Sequence, residues 1–177
     1  MKTISKEYRD LQAKLHQDDN SYGMASTQFA PLIHQLVTDL KISSISDYGA
    51  GKRRLENSLK ELNTKYDNYY PYDPAFPEYG DAQKGELVCC IDVLEHIEPE
   101  LIDNVLSHLH SITNKWIFMT IHQTPARKIL SDGRNAHLIL ESTSWWLEKI
   151  IKKFDVFQLQ KHEVMGQGIF ILATPIK

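Results

Sequence analysis

Apolar positions recur at helical spacing early in the chain, gather into short continuous runs in its middle, and end in two β-type runs. Ile4, Tyr8, Leu11 and Leu15 share one face of a helix ending near His16, which Asp18, Asp19, Asn20, Ser21 and Gly23 then break. A second helix carries Ile33, Leu36, Val37 and Leu40 as its stripe, with Pro31 in its first turn. Ile45 to Asp47 reads as a short strand, and Leu55, Leu59 and Leu62 as the face of the helix after it. Tyr66 to Pro74 is aromatic-rich and extended, and Leu87 to Ile91 is an unbroken apolar run suited to a central parallel strand. Ile102, Val105, Leu106 and Leu109 mark another helix, and Lys115 to His122 a further buried strand. A helix over residues 144–153, capped by Ser142 or Thr143, buries Trp146, Leu147, Ile150 and Ile151. Phe154 to His162 and Gly168 to Thr174 then form a hairpin.

Strands alternating with helices predict an α/β domain, and 177 residues suffice for one domain with a sizeable core. Residues 1–42 form a helical cap before the first strand, and residues 43–177 the α/β core. The formal net charge of −3 gives no overall basic bias toward nucleic acid. The two cysteines, Cys89 and Cys90, are neighbours in an apolar strand, point to opposite faces and cannot readily bridge. They read as core residues of a reduced, cytoplasmic protein, and a zinc site would need more sulfur at other spacings. The N-terminus lacks the apolar stretch of a signal peptide, and no run approaches membrane-spanning length.

The chemistry gathers where strands end. Asp47-Tyr-Gly-Ala-Gly51 closes the first strand, and its glycines permit a tight turn with close backbone approach. A strand ending in an acid, then Gly-x-Gly and a helix, suits a nucleoside with a charged tail, since amides at the helix start favour anions. The same string would also serve as an ordinary strand-to-helix turn. Arg54 stands where a dinucleotide fingerprint has its third glycine, which argues against pyrophosphate binding. Asp73, 22 residues beyond Gly51, is carried by one crossover to the neighbouring strand end, where it can take two ribose hydroxyls or simply form an Asp-Pro turn. Asp92, Glu95 and His96 follow the apolar run at i, i+3, i+4, one face of a helical turn. They are a plausible divalent-metal set or, more simply, hydrogen-bonding groups in the loops above the sheet. His122 ends its strand at the edge where open α/β sheets bind ligands, and His137 lies in the polar loop beyond it. His137 can act as general base or stand as a surface hydrogen-bonding residue.

Taken in order, the glycine turn, Asp73, the Asp92-Val-Leu-Glu-His-Ile97 string and the terminal hairpin resemble a class I S-adenosylmethionine (SAM)-dependent methyltransferase. The string is similar to that of the quinone-biosynthesis O-methyltransferase group. The resemblance runs from Ile45 to the C-terminus. It implies a Rossmann-like, doubly wound, mostly parallel sheet with an antiparallel C-terminal hairpin strand. Only residues 74–84 separate Asp73 from the next strand, too few for a helix and a strand, so the third-strand region is shortened. The acid that usually follows that strand near the adenine has only Asp81 as a candidate.

The resemblance assigns Asp47, Gly49 and Gly51 to the methionine end of SAM and counts Tyr48 among the cofactor-binding residues. Asp73 takes the ribose, Pro74, Ala75 and Phe76 border the adenine, and Ile91 and Asp92 border the sulfonium. His137, His122 or His96 would serve as base, and His16 and Tyr22 in the N-terminal cap lie near the site or merely on the surface. Related ubiquinone O-methyltransferases and small-RNA 3′-terminal 2′-O-methyltransferases associate a similar acid-x-x-Glu-His set with a divalent ion, Mg²⁺ or Mn²⁺ here. The second group adds a later histidine, matched by His122 or His137. The implied reaction is methyl transfer to an oxygen or nitrogen of a small molecule. The alternatives are an RNA or nucleotide acceptor, approached by Lys52, Arg53, Arg127 and Arg134, and a catalytically silent SAM-binding scaffold subunit.

Overall fold

Leu87 to Ile91 is apolar on both sides because the strand it forms is covered on both faces. In the computed structural model, which describes residues 1–18, 23–164 and 166–177, this run lies in strand β3 (Gly85–Ile91). Around it are β1 (Ser44–Tyr48), β2 (Asn68–Tyr72), β4 (Thr113–His122), β5 (Phe154–His162) and β6 (Gly168–Pro175). The helices are α1 (Lys6–Asp18), α2 (Ala25–Asp39), α3 (Arg54–Glu61), α4 (Ile102–Ile112) and α5 (Thr143–Ile150). Residues 19–22, including Tyr22 and much of the expected helix break, and Met165 in the hairpin loop lie outside the described residues.

The strands form one six-stranded sheet in the order β2-β1-β3-β4-β6-β5. β2, β1, β3 and β4 run parallel, β6 is antiparallel to β4, and β5 antiparallel to β6. This is the doubly wound, mostly parallel sheet with an antiparallel terminal hairpin that the sequence implies. Chain order reverses between β1 and β3, so the loops leaving their carboxyl ends diverge and open a crevice. Between β2 and β3 the chain makes only a 3₁₀ turn at Pro77–Tyr79, so the third-strand region is indeed shortened and β2 becomes an edge. Pro71, opposite Asp47 in the register, removes a donor from that edge and discourages further pairing.

Two apolar layers cover the sheet. α4 and α5 pack on one face through Leu106, Leu109, Trp146 and Ile150, while α2 and α3 pack on the other through Phe29, Ile33, Leu55 and Leu59. Cys90 belongs to the first layer and Cys89 to the second, both buried and unbridged. α1 joins neither layer; its Tyr8, with Ile4 and Leu11 beside it, packs on Leu130 and Ala136 of the loop after β4. Among the described residues no helix is long and apolar enough to cross a membrane.

The element edges differ from expectation in one instructive place. α2 begins at Ala25, so Pro31 sits inside the helix and not in its first turn. An interior proline forfeits one helical hydrogen bond, a cost of about 3 kcal/mol. Ala25, Phe29, Ile33 and Val37, all buried on one face, hold the helix through it. Ser142, one of the two proposed caps, accepts the Trp145 N–H at the start of α5.

Candidate functional site

The glycine turn is set by close approach. Gly49 has φ +81, and a Cβ there would lie 2.3 Å from Cγ2 of Val93, so only glycine fits both the backbone and the space. Its N–H and that of Ala50 donate to the Tyr72 carbonyl at 2.8 and 3.0 Å, which locks the turn to the end of β2. Gly51 donates to Oδ2 of Asp73 at 2.9 Å, while Asp73 Oδ1 accepts the Ala75 N–H at 2.8 Å. Each Asp73 oxygen keeps a second lone pair, so the carboxylate can still receive two hydroxyls. Burial pushes the Asp73 carboxyl above its usual range, opposed by these two amides.

Asp47 lies at the tip of β1 and is 4% exposed. The Tyr69 hydroxyl donates to its Oδ2 at 2.6 Å, and burial, only partly offset by that bond, raises the carboxyl to about 7. His16, in the last turn of α1, hangs over this corner: a Cβ on Gly51 would meet its Cε1 at 3.1 Å. The ring stands edge-on to Phe76 at 5.0 Å, and burial, with Lys52 and Arg54 nearby, lowers it to about 4.

Asp92, just past β3, adopts a left-handed φ of +53. Thr120 of β4 holds it there: Oγ1 accepts the Asp92 N–H at 2.9 Å and donates to Oδ1 at 2.7 Å. The other carboxylate oxygen, Oδ2, lies 3.0 Å from Nε2 of His122. After this kink Leu94–His96 forms a 3₁₀ turn, not an α-helical one, and the expected face of Asp92, Glu95 and His96 does not assemble as a set. Glu95 turns inward and is fully buried, accepting the His122 N–H at 2.8 Å. Its Oε2 has no hydrogen-bond partner among the described residues, and burial, then Asp92, pushes its carboxyl well up.

The metal-capable groups therefore regroup: Glu95, His96 and His137 bring one ligand atom each within 4.8 Å of one another, and so do Asp92, Glu95 and His122. Nδ1 of His96 meets the Ala136 carbonyl at 2.8 Å, and Nδ1 of His137 meets the Thr124 carbonyl at 2.6 Å. A carbonyl only accepts, so both Nδ1 atoms carry the proton and both Nε2 atoms present a lone pair. Burial lowers both imidazoles, His96 to about 4.

The loop after β4 is stitched by Asn135. Its Oδ1 accepts the N–H groups of Ala126 and His137, each at 2.9 Å, and its Nδ2 donates to the Ala126 carbonyl at 2.9 Å. Ala136 N–H adds a bond to the Lys128 carbonyl at 3.0 Å. The loop thus forms a fixed wall, with α1 leaning on its outer side.

Strand tips, α1 and this wall enclose a cavity of about 740 Å³. Of the residues assigned from the sequence to a SAM site, Asp47, Tyr48, Gly49, Gly51, Asp73, Pro74, Ala75, Ile91 and Asp92 line it and Phe76 does not, while His96, His122, His137 and His16 line it too. Glu95 lies beneath this lining, Phe76 stands behind His16, and Asp81 is exposed and outside it. The sequence reading missed the contributions of Ile4, Tyr8, Gln12, Gly166 and the segment Thr124–Ala126. Gln12 carried a faint signal, a polar residue among the apolar positions of α1; the others depend on long-range loop paths.

No family model and no curated protein sequence matches the chain. Solved structures do. The chain is similar to a Burkholderia thailandensis 1,6-didemethyltoxoflavin-N1-methyltransferase, crystallised with that compound and S-adenosylhomocysteine. The TM-score is 0.68 and identity 13%, over 100% of this chain and 92% of the other. It is similar to the magnesium protoporphyrin IX methyltransferase of Synechocystis with bound S-adenosylhomocysteine (TM-score 0.57, 11% identity, 96% and 94% covered). The N-methyltransferase NodS of Bradyrhizobium japonicum, also with S-adenosylhomocysteine, gives a TM-score of 0.55 at 9% identity, with 98% and 100% covered. At these identities what is shared is the fold, and this chain has the Rossmann-like fold of those methyltransferases.

Proposed function

We propose that this chain is a class I SAM-dependent methyltransferase acting on an oxygen or nitrogen of a small molecule, in the cytoplasm. The observation that carries the reading is that Asp47, Gly49, Gly51, Asp73, Ile91 and Asp92, matched to a SAM site by sequence position, line one cavity at the carboxyl ends of β1, β2 and β3. The Asp-Val-Leu-Glu-His-Ile string further allies it with the quinone-biosynthesis O-methyltransferase group. In this reading Asp47 meets the cofactor ammonium, and Gly49 and Gly51 let the amino-acid end lie close against the turn. Asp73 accepts the two ribose hydroxyls, Pro74 and Ala75 border the adenine, and Tyr48, Ile91 and Asp92 flank the sulfonium.

Bound SAM supplies an electrophilic methyl carbon: the acceptor lone pair forms the new bond as the carbon–sulfur bond breaks, and its electron pair stays on sulfur. The protein's work is to position the acceptor, exclude water and take the proton the acceptor loses. His122, His137 and His96 line the acceptor side for that proton. His122 is the favoured base, because the Asp92 carboxylate against its Nε2 orients the ring and stabilises the imidazolium that forms.

A divalent ion fits the residues. Glu95, His96 and His137 offer one oxygen and two imidazole nitrogens within 4.8 Å of one another, a mixed oxygen–nitrogen donor set, with each imidazole fixed by a carbonyl as ligating histidines commonly are. Glu95, His96 and His137 would hold Mg²⁺ or Mn²⁺, which lowers the pKa of an acceptor hydroxyl. Methyl transfer that stops with chelator and returns with either ion supports this; indifference to chelator removes it.

The test of function is formation of S-adenosylhomocysteine from SAM with pools of small hydroxylated and amino compounds and, separately, with RNA. Turnover on the small-molecule pool is the expected result. Turnover on RNA alone would favour the nucleic-acid alternative, and cofactor binding with no turnover the silent scaffold.

A further inference from the structure

The cavity is electrically lopsided. Its lining carboxylates, Asp47, Asp73 and Asp92, all stand at strand tips and are engaged by Tyr69, by backbone amides, and by Thr120 with His122. Its lining arginine and lysine, Arg127 and Lys128, stand opposite, on the loop after β4. The lining also includes the apolar Ile4, Met24, Pro125 and Ala126 with Tyr8, beside the polar Gln12 and the histidines already described.

The basic side chains near the site are not equivalent. Arg53 is held by Glu56 at 2.6 Å and Arg134 by Asp132 at 2.6 Å, and neither they nor Lys52 line the cavity. Arg127 does line it, and among the described residues it makes no hydrogen bond or ion pair. Its position is not an accident of a loose loop. Asn135 fixes the preceding residue, Ala126, through both its N–H and its carbonyl, and the Lys128 carbonyl accepts from Ala136 on the other side. Arg127 is exposed at the cavity rim, with its flanking backbone bonded on both sides and no acid among the lining residues of its loop, so its guanidinium is available to a carboxylate or phosphate.

We infer that Arg127 recognises an anionic group on the methyl acceptor, so that the acceptor is a small acid, carboxylate or phosphate monoester, with an apolar body. This rests on the methyltransferase reading above. The cationic cofactor lies against the acids and the anion lies against the loop, with the apolar body between them under Tyr8 and Met24. The arrangement orients the acceptor along the line between the two charges and favours acids over neutral analogues, which forgo the charge-assisted pair with the guanidinium.

The test uses the full chain in three steps. S-adenosylhomocysteine is titrated first; absence of binding overturns the methyltransferase reading and this inference with it. The protein saturated with S-adenosylhomocysteine is then titrated with benzoate, phenyl phosphate and methyl benzoate, a neutral match for the first. Saturable binding of one or both acids, at least about tenfold tighter than the ester, is expected, and which acid wins separates carboxylate from phosphate. Arg127→Gln should remove that preference and Arg127→Lys restore part of it, with affinity for S-adenosylhomocysteine unchanged in both. Equal binding of acid and ester, an acid preference that survives Arg127→Gln, or binding of an RNA oligonucleotide with neither small acid would each overturn the inference while leaving the cofactor reading intact.

Discussion

Asp47 and Gly49 carry the sharpest consequences of the fold at single positions. The Asp47 carboxyl rises from 3.8 to about 7 on burial. Between those values the folded chain keeps a proton that the unfolded chain has lost, so without ligand stability falls as pH rises through the window and levels off above it. The lost amount is on the order of 4 kcal/mol. Asp47→Asn should therefore melt higher than the parent at pH 8, by about 2–4 °C per kcal/mol recovered, and match it below pH 4. Parallel melting curves at both pH values would contradict this. The same substitution removes the partner of the cofactor ammonium, so it should weaken SAM binding while stabilising the fold. Gly49→Ala meets both a left-handed backbone and Val93 at 2.3 Å, whereas Gly133→Ala, at φ +88, meets nothing within 4 Å. Denaturant titration should show a loss of about 1 kcal/mol for Gly133→Ala and about 2–4 kcal/mol for Gly49→Ala. Equal losses would mean that the turn is not held against the segment after β3.

Elements with one dominant physical signal were legible in the sequence; those defined by where loops travel were not. β3 declared itself because a strand covered on both faces must be apolar throughout, and the missing third strand because residues 74–84 cannot span a crossover. The start of α2 was misplaced because proline is a first-turn signal only when the helix before it lacks packing, and Phe29 supplies that packing. The spacing of Asp92, Glu95 and His96 suits an α-helical turn, but a 3₁₀ turn forms at Leu94–His96. The Thr120 bonds that hold Asp92 left-handed are 28 residues away in sequence and invisible to local spacing. The contribution of α1 to the cavity is likewise long-range, anchored by a bond from the Ser5 N–H to Glu98 at 2.7 Å, 93 residues apart. The loop after β4 gives an element-level prediction. Asn135→Ala should speed amide exchange at Ala126 and His137 about tenfold, the loss of one hydrogen bond each, and leave β3 and β4 unchanged. Unchanged exchange at Ala126 would mean the wall is held by something other than Asn135.

Across the whole molecule, one side of the sheet-end crevice is acidic and tied to strand tips, the other histidine-rich and built from a stitched loop and an N-terminal helix. Every functional statement above depends on a SAM-shaped ligand lying across the acidic side. The most direct test is calorimetric titration of S-adenosylhomocysteine into the wild-type chain and into Asp73→Ala. The account predicts saturable one-to-one binding, accompanied near pH 7 by proton release as Asp47 ionises, and a loss of about tenfold or more in Asp73→Ala. No binding to the wild type, or equal affinity in the variant, would contradict it.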